Sequence, residues 1–377
     1  MNRVYEAAPG LGWYEEKGDV GAFALGFPAG FRAEGAGRPG LAHFTEHLLM
    51  APRDESAHPY AQLEERGFLL EAQTRRDHLT VSLSGPQKHL LGAVDILVTH
   101  LVDRRRPGGA ARQQAEIIHN EVLEKTGLDP ASDRWRWCVA VPGGAIGADH
   151  DPVVAPALAG LAVYADVWQG FAADHVRLEQ CAAAVAADPA LVRPEDVQSL
   201  LGPRPLPPTR PAVAPASFAT AAGDGRPAPR KEVVLPVLDG GLPGQSAALV
   251  AARLIGEALA AATGYPSVNA HYGLFDEWFS EDAPTVLTVP MPPGSDSDAL
   301  EQSVGNALRS ATEPHTLARA CEQLSDEWKR RIGTPSAGSR LTAWMLLGAR
   351  MGVPFTDVDA ALVTRSLETA VLPGGPR

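Results

Sequence analysis

The sequence predicts an α+β protein of two related domains, each a mostly antiparallel sheet packed against helices. Three observations carry this. The chain has 377 residues, long for a single core and better suited to two domains of fewer than about 200 residues each. A succession of short alternating strands and amphipathic helices occupies the first half and recurs more coarsely in the second. Between them, Leu201 to Arg230 turns to Pro, Ala, Thr and Gly without apolar periodicity, the composition of a linker. The boundaries expected are 1–202, a linker at 203–230, and 231–377.

Taken in order, residues 3 to 34 mix short apolar alternation with turn residues, the clearest strand being Gly21 to Phe31. Gly35 to Gly40 punctuates. In GLAHFTEHLLM the apolar positions Leu41, Phe44, Leu48 and Leu49 follow helical spacing. A second helix at Pro59 to Arg66 stops at Gly67, and FLLEAQTRRDHLTVSLSG alternates like a strand pair before Pro86. The stretch His89 to Val102 reads as an amphipathic helix, a break falls at 107–109, and Ala110 to Lys125 carries the next helix. In the second half EVVLPVL and Thr285 to Met291 read as strands. Ser246 to Ala262 reads as a helix, and Ala299 to Arg331 as two helices separated near Pro314.

Composition excludes several functions. Apolar residues make up 45% and charged residues 21%, as in ordinary globular proteins. The net charge of -12 disfavours nucleic acid or an anionic membrane as main partner, since both reward clustered Lys and Arg. The three cysteines, Cys138, Cys181 and Cys321, are far apart and form neither a CxxC knuckle nor a disulfide framework. With no apolar run long enough for a secretory signal or a membrane helix, a cytoplasmic location is expected.

The chemistry concentrates in His43-Phe44-Thr45-Glu46-His47. Two histidines four residues apart on a helix project about one turn apart and can share one ion. Neutral imidazole nitrogens suit Zn²⁺, and a glutamate beside the second histidine can serve as general base to a water whose pKa the metal lowers toward ~7. A third ligand must come from elsewhere in the chain.

The stretch GFRAEGAGRPGLAHFTEHLLM resembles the signature of the M16 (pitrilysin-like, inverted HxxEH) zinc metallopeptidases. The likeness is strong from about 24 to 125 and extends into PSVNAHYGLFDEWFSEDAPTVLTVPMPPGSDSDALEQSV at 266–304. It implies the LuxS/M16 metallohydrolase-like fold and an M16B-type catalytic subunit holding one Zn²⁺ per chain. It implies a third ligand from a later helix, where Glu116, Glu121 and Glu124 are candidates; it places His43, His47 and Glu121 as ligands, with Glu124 the runner-up, and Glu46 as general base. A second glutamate is usual in the family seven residues before the ligand; here Gln114 stands there, able to hydrogen-bond a ligand histidine. His119 is a candidate to support the ligands too, or a solvated helix residue. Glu71, Ala72, Gln73 and Thr74, similar to the family's Asn-Ala-x-Thr strand except for Glu71, are the expected peptide-binding edge.

The resemblance also implies an Arg and a Tyr from the second half. In EALAAATGYPSVNA, Tyr265 fits the tyrosine, but Ala258 occupies the arginine's position. A homologous partner subunit supplying Arg and Tyr is therefore expected, enclosing the peptide substrate in a chamber with this chain. The rival expectation is a non-catalytic peptide-binding or structural subunit of such a heterodimer. Of the weaker features, Asp149-His150-Asp151 reads as a polar turn and Trp135 and Trp137 as core or interface anchors.

Overall fold

The computed structural model describes residues 3–30, 33, 34, 38, 40–53, 59–74, 78–107, 109–126, 164–202, 230–235, 241–263, 269–271, 285–290, 302, 303, 305, 306, 309, 313–331, 334–336, 338–340 and 359–370. The linker stretch 203–229, Cys138, Trp135, Trp137, Asp149 to Asp151 and Tyr265 lie outside the described residues. The chain divides into two compact units. The first comprises Met1–Pro130, Gly147–Ala212 and Arg331–Val353, the second Ala131–Ile146, Val213–Arg330 and Pro354–Arg377.

In the first unit the elements are β1 (Val4–Ala8), β2 (Leu11–Glu15), β3 (Val20–Phe27), α1 (Leu41–Met50), α2 (Pro59–Glu64), β4 (Leu69–Thr74), β5 (Leu79–Pro86), α3 (Leu90–Val102), α4 (Ala110–Thr126), α5 (Trp168–His175), β6 (Ala182–Ala187) and α6 (Pro194–Leu201). Six strands form one sheet in the order β1-β2-β6-β3-β5-β4. Every neighbouring pair is antiparallel except β2 with β6. The second unit holds β7 (Arg230–Leu235), α7 (Gly241–Thr263), β8 (Asn269–His271), β9 (Thr285–Pro290), α8 (Pro314–Arg331) and α9 (Ala360–Glu368). Its three strands pair antiparallel in the order β7-β9-β8. Among the described residues no helix is long and apolar enough to cross a membrane.

Register explains how the first sheet supports its helices. Residues paired across antiparallel strands share a face. Thus Trp13, Val185, Phe23, Leu83 and Leu70 fall on one side, with Leu25, Val81 and Ala72 in the neighbouring row and Phe27, Leu79 and Thr74 beyond it. Most of these side chains are fully buried, and this bulky face carries α1. The opposite face is small or polar: Ala22, Ala24, Ala184, Ala186, Thr80, Ser82 and Glu71. The alternation of LTVSLSG in β5 is the same division written in sequence.

Turn chemistry fixes the approach to β4. Helix α2 ends where Gly67, at φ 78°, takes the left-handed conformation. Its N–H donates to the Glu64 carbonyl at 2.8 Å, and the Phe68 N–H to the Leu63 carbonyl at 2.9 Å, a Schellman termination. Tight packing against β5 keeps Gly85 a glycine, because an added Cβ would come within 2.7 Å of the Gly67 carbonyl oxygen.

The last turn of α3 places His100 beneath α1, where it is 2% exposed and its Nε2 lies 2.8 Å from the Leu49 carbonyl oxygen. Burial first, and the neighbouring Arg106 guanidinium second, hold its pKa down at about 4. The folded imidazole is neutral, so Nε2–H donates to Leu49. The unfolded chain takes up the proton near the ordinary value of 6.5, so this contribution is complete above ~6.5 and is lost as pH falls toward about 4. Its size is about 3 kcal/mol at most, at ~1.4 kcal/mol per pKa unit. Urea unfolding at pH 7 and pH 4.5 should show the parent losing about 2 kcal/mol more than His100→Gln; equal losses would disprove the assignment.

Candidate metal centre

Helix α1 presents His43 and His47 from one face, with ring centroids 4.8 Å apart at an interplanar angle of 74°. His43 is buried at 6% exposure, and all of α1 except His47 is buried. Helix α4 runs alongside, its Gln114, Ala115 and Ile118 turned inward and Glu116 and Ile117 exposed. Three and seven residues on from Ile118 and Gln114, Glu121 returns to the inward face.

The Glu121 Oε2 stands 3.5 Å from His47 Nε2 and 3.7 Å from His43 Nε2. The ligand atoms of the three residues all lie within 4.8 Å of one another. These separations exceed the ~2.7–3.2 Å of a direct N–H···O hydrogen bond. They match the ~3.4 Å edge of a tetrahedron whose corners are ~2.1 Å from a central zinc. The donor set of two imidazoles and one carboxylate, with a fourth corner left for water, is that of a catalytic zinc site. The residues present therefore fit the ion, and they are the single His/Cys/Asp/Glu cluster of this kind among the described residues.

The outer contacts are ordered for the same task. Gln114 Oε1 lies 3.1 Å from His47 Nδ1, so Nδ1–H donates to the amide carbonyl and the Nε2 lone pair faces the cluster. An amide thus fills the position where the resemblance implies a carboxylate, supplying an acceptor but no charge. His119 Nδ1 is buried and has no hydrogen-bond partner among the described residues. Glu116 is exposed, and the Glu124 side chain lies outside the described residues.

Glu46, 9% exposed, accepts a 2.6 Å hydrogen bond on Oε2 from the Thr74 hydroxyl of β4. The Thr74 side chain is thus committed to the glutamate beside the histidines, a use that sequence reasoning missed because the two residues are 28 positions apart. Tyr60 on α2 was also missed. Burial, then the carboxylates of Glu46 and Glu71, push its pKa up to about 12, so it keeps its proton. No motif marks it.

Strand β4 is the sheet's edge, pairing with β5 on one side. Of the expected peptide-binding residues, Ala72 and Gln73 are half-buried within it. Glu71, on the opposite face from Thr74, accepts a 3.2 Å hydrogen bond from Ser336 Oγ and lies 3.7 Å from an Arg340 guanidinium nitrogen. The arginine's position in the resemblance is Ala258, within α7; nothing there offers a cation.

Residues 14–105 match the profile of the insulinase family, peptidase family M16. Glu121 lies beyond that match, so its place beside the histidines comes from geometry. No curated protein matches the sequence significantly. Solved structures match across the chain. They include a protease from Helicobacter pylori (TM-score 0.69, 13% identity), a chain of complex III2 from Candida albicans (0.65, 14%) and a peptidase M16 inactive domain from Pseudomonas fluorescens (0.63, 13%). Each covers 98% of this chain, and 96%, 93% and 95% of the respective other. Residues 14–105 thus carry the likeness to peptidase family M16 in sequence, and the whole chain shares the fold of these solved structures.

Proposed function

We propose that the chain is the zinc-binding, M16B-type subunit of a cytoplasmic endopeptidase, holding one Zn²⁺ through His43, His47 and Glu121. The observation that carries this is the convergence of those three side chains, with Glu121 Oε2 3.5 and 3.7 Å from the two imidazole Nε2 atoms, beside a buried glutamate that is not one of them. When bound, the ion supplies Lewis acidity toward a peptide carbonyl and makes water a competent nucleophile near neutral pH. Glu46 takes the proton from that water through the carboxylate that Thr74 orients, then returns it to the departing amine nitrogen. His47 is held in the ligating tautomer by Gln114. An extended peptide adds to the outer edge of β4, where main-chain hydrogen bonds give affinity with loose sequence preference.

Ala258 at the expected arginine position supports division of labour: a homologous partner chain supplies the Arg and Tyr that orient the substrate carbonyl. A second reading, a peptide-binding or structural subunit without turnover, draws support from the likeness to an inactive M16 domain. The intact histidine and glutamate set speaks against it. Zinc analysis and cleavage of an unstructured peptide, by the chain alone and with its homologous partner, test both. The expected result is about one zinc per chain with cleavage only by the pair. Full activity of the isolated chain would refute the partnership, and absence of zinc the metallopeptidase.

A further inference from the structure

Helix α1 has only ten residues, a length at which an isolated helix is marginal and its orientation must come from outside. Its first N–H and last C=O groups have no partners within the helix. At the N-terminus, Gly40 takes the cap position at φ 80° and offers no side chain. Glu34 substitutes from upstream: Oε2 accepts the Gly40 N–H at 3.0 Å and Oε1 the Ala42 N–H at 2.7 Å. At the C-terminus the Ala51 N–H takes the His47 carbonyl at 2.9 Å. The next two carbonyls go to Arg106, whose Nε donates to Leu48 and whose Nη2 donates to Leu49 at 2.6 Å.

Each charge has the sign that the helix dipole favours, an anion at the amide end and a cation at the carbonyl end. The Arg106 fork is itself fixed, Nη1 donating to the carbonyls of Asp103 at 2.7 Å and Arg105 at 2.6 Å. Of the Arg104-Arg105-Arg106 run, it is Arg106 that donates to the α1 carbonyls. Arg105 is exposed and pairs with Asp103, and Arg104 donates to the Val176 carbonyl.

We propose that Glu34 and Arg106 are positioning residues that hold α1 by its two ends and thereby set His43 and His47 against Glu121. The contacts bracket the ligands closely. Glu34 reaches the amide immediately before His43, and Arg106 reaches the carbonyls immediately after His47. Arg106 also stands four residues before Ala110, where α4 begins, so the same guanidinium ties α1 to the connection that delivers Glu121. A slip of one residue along a helix is ~1.5 Å, whereas ligand distances must hold within ~0.2 Å. A fixed α1 is therefore a condition of tight metal binding.

The proposal rests on the metal centre described above, and its test separates the two. Zinc affinity is measured by competition with a chromophoric chelator on the full chain. Cobalt substitution reports the ligand field, and far-UV circular dichroism and thermal unfolding of the metal-free protein report the fold. Glu34→Gln and Arg106→Met should each weaken zinc about tenfold or more and alter the visible cobalt bands, with the metal-free circular dichroism retained. Arg106→Lys should recover part of the loss, and Arg105→Met should match the parent. If Arg106→Met does not fold, Glu34→Gln and Arg106→Lys decide by the same readouts. Parent-like affinity and cobalt spectra in Glu34→Gln and Arg106→Lys would overturn the clamp while leaving the metal centre standing. A parent chain that binds no zinc would overturn the metal centre, and the clamp with it.

Discussion

Glu46→Gln is expected to keep about one zinc per chain and to lower peptide cleavage by the assembled pair about 1,000-fold, within the range for loss of a general acid–base group. The substitution is nearly isosteric, and the Gln amide oxygen can still accept the Thr74 hydroxyl. Neither imidazole nor Glu121 changes, so the ligand spacing of 3.5 and 3.7 Å persists. What is removed is a carboxylate able to take a proton from water and give it to the leaving nitrogen. Metal analysis alongside single-turnover cleavage checks this. Normal cleavage by the variant would assign the base elsewhere.

Glu121→Ala is expected to act one step earlier, on the ion itself. Loss of a residue that only orients a ligand costs ~10–100-fold in metal affinity, so loss of one of three ligands should cost more than about 100-fold. The signature is thermodynamic as well as catalytic. A ligand present at ~1,000 times its Kd stabilises the folded state by about 4 kcal/mol, so zinc should raise the parent's melting temperature by several degrees and leave that of Glu121→Ala unmoved. The metal-free proteins should melt alike, since Glu121 is part-exposed at 30% and its removal leaves no large cavity. An undiminished zinc-dependent rise in the variant would assign the third ligand to another residue, with the Glu124 carboxylate the first to test.

The two predictions draw on different amounts of sequence information. Glu46 and the histidines are within five consecutive residues whose helical spacing is itself the geometry, so α1 and its chemistry are legible locally. Glu121 was read among three glutamates, and the choice depended on register; the structure brings its Oε2 to both Nε2 atoms. Of the contacts around the histidines, the resemblance pointed to Gln114, whereas no motif marked Arg106. Gln114 reaches His47 across 67 positions, and Arg106 reaches Leu48 across 58. In the sequence Arg106 is one of three identical neighbours in a basic run.

The clearest miss in the fold is β6. AAAVAA is rich in the best helix-forming residue, and the sequence reading placed no strand there. It is nonetheless the strand that joins the two halves of the sheet, parallel to β2 and antiparallel to β3. Each of its six residues is fully buried. Alanine pays no propensity here, because the ladder with both neighbours satisfies the backbone and Trp13 and Phe23 pack beside Val185 on one face. That outcome depends on partners more than 150 positions away.

By itself the sequence determined the periodic elements, the breaks at Gly67 and at 107–109, and the pair of histidines with their glutamate. All of these arise from steric and packing preferences between residues a few positions apart. The tertiary structure decided which glutamate meets the histidines, which hydroxyl hydrogen-bonds Glu46, which arginine caps the helix that carries the histidines, and that a run of alanines is a central strand. Each of those depends on backbone polar groups and charges finding distant partners once chain folding has excluded water, an energy that no local window contains.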